Sequence, residues 1–262
     1  MPTTYAHYTF GQEVLKLLDG DLKESINKNI DLYNIGLHGP DILFYYNPLK
    51  SNEVSKLGHK LHSMTANCFF ENARKVISSC DDYDAACAYV SGFICHFMLD
   101  TQCHPYIRQK ESHELTHGDI ETEFDRMLMI QNKLNPLSFK PTSHIAPNAK
   151  IAEVISWFFN GITKKDILES LKSMKFYLNL LVAPGHFKRF VILASLKLTG
   201  NYRGMSGLIM KYEPLEKSNE LNDKLYDLFL EGIKPAADII KEFINNIKGN
   251  EKLNERFNRN FE

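Results

Sequence analysis

Ala85-Ala86-Cys87-Ala88-Tyr89-Val90-Ser91-Gly92-Phe93-Ile94-Cys95-His96-Phe97-Met98-Leu99-Asp100-Thr101-Gln102-Cys103-His104 is the stretch that decides the fold. From Ala85 to Leu99 it is almost unbroken apolar sequence, shorter than the roughly 20 residues that cross a bilayer. The pattern predicts a helix over about 82–104 that is buried on all sides at the centre of a multi-helix bundle. Pro105 is expected to end it near His104.

His96 and Asp100 are four residues apart and therefore share a face of that helix. A carboxylate among Phe93, Phe97 and Leu99 costs several kcal/mol unless a positive charge meets it. No Lys or Arg occurs between Lys75 and Arg108. The charge must come from elsewhere in space, and a divalent cation supplies it while using neutral imidazoles as ligands. Taken alone, one such pair reads better as a buried His–Asp hydrogen bond or an ion pair with a distant Arg.

Further pairs shift the balance toward metal. His117 and Glu121 repeat the four-residue spacing, in phase with Phe124 and Leu128. His7 shares the inner face of the first helix with Phe10 and Val14. Asp41 follows Gly39-Pro40 and precedes Ile42-Leu43-Phe44, at the edge of buried sequence. His59 and His62 both lie off the centre of their helix's apolar stripe, with His62 nearer to it. Imidazole with hard carboxylate oxygen favours zinc or a similar first-row metal over calcium or magnesium.

Elsewhere the periodicity is helical and strand-like runs are scarce, so the predicted class is all-α. Thr3 or Thr4 is the expected cap of a first helix reaching about Asp19, and a loop runs through Gly36-Leu37-His38-Gly39-Pro40-Asp41. The next helix should start near Ser51 or Asn52 and carry Val54, Leu57, Leu61, Met64 and Cys68 on one face. Another runs from about His117 to Leu134, followed by a loop marked by Pro136, Pro141 and Pro147. Amphipathic helices are expected near 148–160, 163–182, 185–198 and 219–248. Residues 1–262 thus read as a single all-helical domain, with the metal-site half in 1–134 and packing and wall helices in 148–248.

A hydrophobic fraction of 44% is enough for a large core. Formal net charge is −1 with acidic and basic residues interspersed, which predicts no basic field for non-specific capture of nucleic acid or an anionic membrane. The opening Met1-Pro2-Thr3-Thr4-Tyr5 has no apolar h-region, so a cytoplasmic location is expected. Five cysteines and no C-x-x-C pair fit reduced packing residues, not a disulfide framework or thiolate zinc site.

His113-Glu114-Leu115-Thr116-His117 matches the H-E-x-x-H pattern of zinc metalloproteases, which needs both histidines on one helix. Here Thr116 reads as an N-cap with Asp119 at the third position, which leaves His113 outside. A zincin-type protease is accordingly the weakest reading. A ferritin-like site needs two Glu-x-x-His helices, and only Glu114 to His117 qualifies.

These residues together resemble the zinc-dependent phospholipase C family, whose fold is related to that of the single-strand-specific zinc nucleases. The matching stretches, in the family's order, are Thr3-Thr4-Tyr5-Ala6-His7, His38-Gly39-Pro40-Asp41, Gly58 to His62, His96-x3-Asp100-x3-His104 and His117-x3-Glu121. The resemblance implies a helical bundle holding zinc, two or three ions, at the base of a cleft. It implies that Asp41, His62, His96 and Asp100 surround one ion and that Asp100 bridges to a second at His7. His104, His117 and Glu121 would hold the third, and Asp41 would also orient or deprotonate the attacking water.

Secreted members use the amino group of an N-terminal tryptophan as a ligand, whereas this chain opens Met1-Pro2, so the ion at His7 is expected to be weak or absent. No β-rich membrane-binding domain follows the helices, so attack on bilayer lipid is not implied. The expected function is a zinc-dependent phosphoesterase acting on a phosphodiester or phosphomonoester, including a phospholipid head group. The alternative is a non-catalytic metal-binding or interaction protein that kept the same cage. Neither the leaving group nor the oligomeric state is specified by these residues.

Overall fold

The computed structural model describes residues 4–216, 218–249 and 251–261. Among the described residues there are twelve α-helices and no strand. They are α1 (Thr4–Leu17), α2 (Gly20–Lys28), α3 (Ile30–Gly36), α4 (Glu53–Ser63), α5 (Asn67–Ser79), α6 (Tyr83–Lys110), α7 (His117–Gln131), α8 (Ala149–Ser156), α9 (Lys164–Leu181), α10 (His186–Leu198), α11 (Tyr202–Met205) and α12 (Ser218–Asn245). A 3-10 turn spans Gly39–Tyr45, between α3 and α4.

The apolar stretch forms the axis of the bundle as expected. Asp82 starts α6 by accepting the Ala85 amide at 3.1 Å, and every residue from 85 to 101 is buried. Helices α1, α2, α3, α5, α8 and α12 all pack on it. Phe93 and Phe97 are fully buried, and each contributes on the order of 1.5–3 kcal/mol by leaving water. At the crossing with α3 there is no room for side chains. A Cβ on Gly92 would lie 2.1 Å from the Tyr33 carbonyl oxygen, and one on Gly36 would lie 2.2 Å from that of Tyr89.

Three local expectations are corrected. Helix α6 does not stop before Pro105 but continues to Lys110. Pro105 removes only the one helical bond to the Thr101 carbonyl, and Ile107 beyond it is buried and holds the last turn to the core. The helix expected to run on through Cys68 is two helices, because Met64 is extended and the Ala66 amide is taken by the Arg259 carbonyl oxygen at 2.8 Å. Cys68 is consequently exposed, while Cys87, Cys95 and Cys103 are buried free thiols. Two short helices, α2 and α3, also precede the Gly36–Asp41 stretch, which closes as the 3-10 turn.

Thr3, one of two expected caps, lies outside the described residues. Thr4 is the first residue of α1, and the helix is capped from across the bundle. The buried Asp125 carboxylate on α7 accepts the Ala6 amide at 2.8 Å and the Tyr5 amide at 3.2 Å. Accepting both amides fixes the register of α1 against α7, although burial, with Glu121 nearby, pushes the Asp125 carboxyl well above the usual range. The C-terminal segment returns to the core, with Phe257 against Phe70 at 4.1 Å and Phe261 against Phe97 at 5.1 Å between ring centroids.

Candidate metal centre

Five elements bring the eight predicted side chains to one region beside α6. Helix α6 supplies His96, Asp100 and His104, three successive positions on one face. The capped N-terminus of α1 supplies His7, the 3-10 turn Asp41, α4 His62, and α7 His117 and Glu121. They form three groups, His7–His96–Asp100, Asp41–His62–His96 and His104–His117–Glu121, and within each group the ligand atoms all lie within 4.8 Å of one another.

The closest approaches are between imidazole Nε2 and carboxylate oxygen. His96 reaches Asp100 Oδ2 at 3.0 Å, His62 reaches Asp41 Oδ1 at 3.0 Å, His117 reaches Glu121 Oε1 at 3.1 Å and His7 reaches Asp100 Oδ1 at 3.2 Å. His104 Nε2 stands 3.5 Å from both Asp100 and Glu121. Two donors each about 2.0 Å from a tetrahedral zinc are roughly 3.3 Å apart, so these separations suit ligands sharing an ion.

The orientation of the rings supports that reading. His62 Nδ1 donates to the Gly58 carbonyl oxygen at 2.8 Å, His104 Nδ1 to that of Phe261 at 2.8 Å, and His117 Nδ1 to Glu111 at 2.7 Å. A ring whose Nδ1 carries the proton presents an Nε2 lone pair when neutral, and each of these lone pairs faces a carboxylate. Two acceptors in contact repel unless a proton or a metal lies between them. Asp41 Oδ1, His96 Nε2 and His117 Nε2 are buried and find no hydrogen-bond partner despite these short approaches. Unsatisfied buried polar atoms of this kind are what an absent ion leaves behind.

Electrostatics point the same way. Among the described residues the ion pairs of Asp100 are with His7, His96 and His104, and none is with Lys or Arg. Burial works against its charge, yet those three imidazoles hold its carboxyl well below the usual range. Asp41 is also held down, by His62 and His96, against the opposing effect of burial. Burial disfavours charge on His62 and His117 as well, but Asp41 raises the first and Glu121 the second. A small, partly open cavity of about 10 Å³, the space of one water-sized sphere, lies among His7, Asp100, His104 and Glu121.

His62, not His59, reaches Asp41, and His59 is exposed beside the Phe44 ring. His113 and Glu114 are exposed and outside α7, whose capping box is Thr116 with Asp119. The H-E-x-x-H spacing therefore builds no site.

Three contributions went unread in the sequence. Phe261 supplies the carbonyl that orients His104, and a backbone group leaves no sequence signal. His38 is buried with Nε2 2.7 Å from His144 Nε2, and His144 stacks on Tyr8 at 4.2 Å. One ring must donate and the other accept. Burial pushes His38 well below its ordinary value and His144 down to about 3, so the pair stays neutral. His38 also anchors the turn that presents Asp41, whose amide donates to the His38 carbonyl oxygen at 3.0 Å.

Fold and site together define an all-helical protein with clustered imidazole and carboxylate ligands of the kind that bind zinc. Over residues 6–178 the chain matches the family model of zinc dependent phospholipase C, and it belongs to that family. No curated protein and no solved structure matches it. Among the described residues, no helix is long and apolar enough to cross a membrane.

Proposed function

We propose that the chain is a zinc-dependent phosphoric ester hydrolase of the phospholipase C type, acting on a phosphodiester or phosphomonoester through an activated water. Asp41, His62, His96 and Asp100 would hold one ion, and His7 with Asp100 a second. His104, His117 and Glu121 would hold a third. The observation that carries this reading is that Asp41 Oδ1, His96 Nε2 and His117 Nε2 are buried without a hydrogen-bond partner, each within 3.0–3.1 Å of an opposing imidazole or carboxylate atom.

Zinc in such a site supplies a Lewis acid that neutralises charge on phosphoryl oxygens and makes water acidic near neutral pH. Asp41, kept ionised by its imidazole neighbours, takes the proton of the attacking water. The water oxygen adds to phosphorus in line with the leaving group, whose oxygen departs with its bonding electrons and is then protonated. Glu111, Gly58 and Phe261 keep the three Nε2 lone pairs aimed inward. The Phe93, Phe97 and Phe261 side chains keep bulk water from the buried side.

The test is zinc content per chain measured beside hydrolysis of a panel of phosphate esters. Two or three zinc ions are expected, with activity lost on chelation and restored by zinc. Asp41→Asn should lower turnover by roughly 10²–10⁴-fold, the range for loss of a positioned base. A zinc-replete chain inert toward the whole panel would overturn the assignment.

A further inference from the structure

The even mixing of charge over the whole chain breaks down locally. Residues 170–212 contain seven Lys and Arg and no Asp or Glu. The segment includes α10, none of whose residues is buried. Phe187, Phe190, Val191, Ala194 and Leu198 follow the helical repeat and form one stripe. That stripe faces outward, with Leu198 89%, Phe187 82% and Phe190 69% exposed. Lys188 and Lys197 flank it on opposite sides. Phe176 and Leu180 on α9 are also exposed, and the neighbouring Asn179 carbonyl oxygen accepts from Lys188 Nζ at 3.4 Å.

We infer that α10 and α11 form a docking element that seats the chain on an anionic phospholipid surface. An apolar stripe edged by Lys and Arg is the pattern of helices lying in a membrane interface, and the absence of carboxylates complements anionic head groups. Nucleic acid fits less well, because Val191, Ala194 and Leu198 gain nothing from a phosphate backbone. A second copy fits less well too, since a symmetric contact would bring the lysines that edge α10 in two copies together. The element lies beyond residues 6–178, so it belongs to this chain and not to the family match.

A series of contacts joins the patch to the metal centre. Arg189 stacks on Tyr212 at 4.0 Å and donates to the Met210 carbonyl oxygen. Lys211 Nζ then pairs with Asp119 Oδ1 at 2.9 Å, between His117 and Glu121 in α7. Gly207 lies so close to α7 that a Cβ there would be 2.8 Å from the Asp119 amide. Docking through α10 would thus hold the third ligand group near the lipid surface. That consequence rests on the phosphoesterase reading, whereas the docking itself does not.

The test uses the full chain with chelator present, sedimented with vesicles of phosphatidylcholine alone or mixed with phosphatidylglycerol. Binding should be selective for the mixed vesicles and weaken as salt rises. Phe187→Ser with Phe190→Ser, and separately Lys197→Glu with Arg203→Glu, should each reduce it about tenfold or more. All four positions are exposed, so folding and hydrolysis of a soluble phosphate ester should persist. Failure to sediment, or variants that sediment like the parent, would overturn the inference, as would substitutions that only dissolve a dimer or abolish oligonucleotide binding. Soluble-ester hydrolysis without vesicle binding removes the docking surface alone, and vesicle binding without any hydrolysis removes the enzyme reading alone.

Discussion

His104 Nδ1 donates to the carbonyl oxygen of Phe261 at 2.8 Å, across 157 positions of the chain. This bond makes the C-terminal segment a part of the site, because it sets which nitrogen of His104 faces Asp100 and Glu121. The Phe261 ring is fully buried against His62, His96, Phe93 and Phe97. Phe261→Ala should cost about 3–5 kcal/mol of stability by leaving a cavity. It should also lower zinc occupancy, as the carbonyl is no longer held in place. Denaturant unfolding and zinc analysis on the same sample check both, and full zinc content in a destabilised variant would sever the link.

Glu111 separates positioning from packing. Its carboxylate holds His117 Nδ1 at 2.7 Å, while its own side chain is 37% exposed. Glu111→Ala should therefore leave thermal stability nearly unchanged. Loss of such a supporting partner typically costs 10–100-fold in metal affinity, so zinc should dissociate at lower chelator concentration. A variant with parental zinc affinity would show that α7 alone orients the ring.

The pairs His96–Asp100 and His117–Glu121 were legible because the helical repeat converts a spacing of four into adjacency. Asp41 was legible from the turn before it. His59 against His62 was not, since the two flank the apolar stripe and the decision lies in how α4 meets the Phe44 ring. His38 with His144 and His104 with Phe261 join segments more than a hundred positions apart, and no local pattern encodes such meetings. The helix stop at Pro105 was misread because a local rule for the residue before proline carries no knowledge of buried Ile107. Averaging charge over the whole chain likewise hid the carboxylate-free segment 170–212.

Gly39 and Gly20 make a matched pair. Both have positive φ, +47° and +58°, but a Cβ on Gly39 would lie 2.2 Å from His96 Cδ2 whereas one on Gly20 meets nothing within 4 Å. Gly20→Ala should cost about 1–3 kcal/mol of backbone strain and leave zinc content unchanged. Gly39→Ala should add displacement of the His96 ring, and with it loss of the ions proposed at Asp41–His62–His96 and His7–His96–Asp100. Equal zinc content in the two variants would count against His96 as a shared ligand.

Removing zinc should expose how far the buried carboxylates depend on it. Asp41, Asp100 and Glu121 are all enclosed, and the imidazoles that surround them can balance their charge only by taking up protons. Each ion at a hundred times its dissociation constant adds about 2.7 kcal/mol to stability, which corresponds to a rise in Tm of several degrees for a chain of this size. Chelation should reverse that rise and zinc should restore it. Zinc competes with protons on the same nitrogens, and carboxylate neighbours raise His62 and His117 above the ordinary imidazole value. Affinity should therefore fall as pH drops through those raised values, with protons released whenever zinc binds. A Tm indifferent to zinc at neutral pH, or zinc affinity that is flat across mild acid, would show that protons and not metal ions balance these carboxylates.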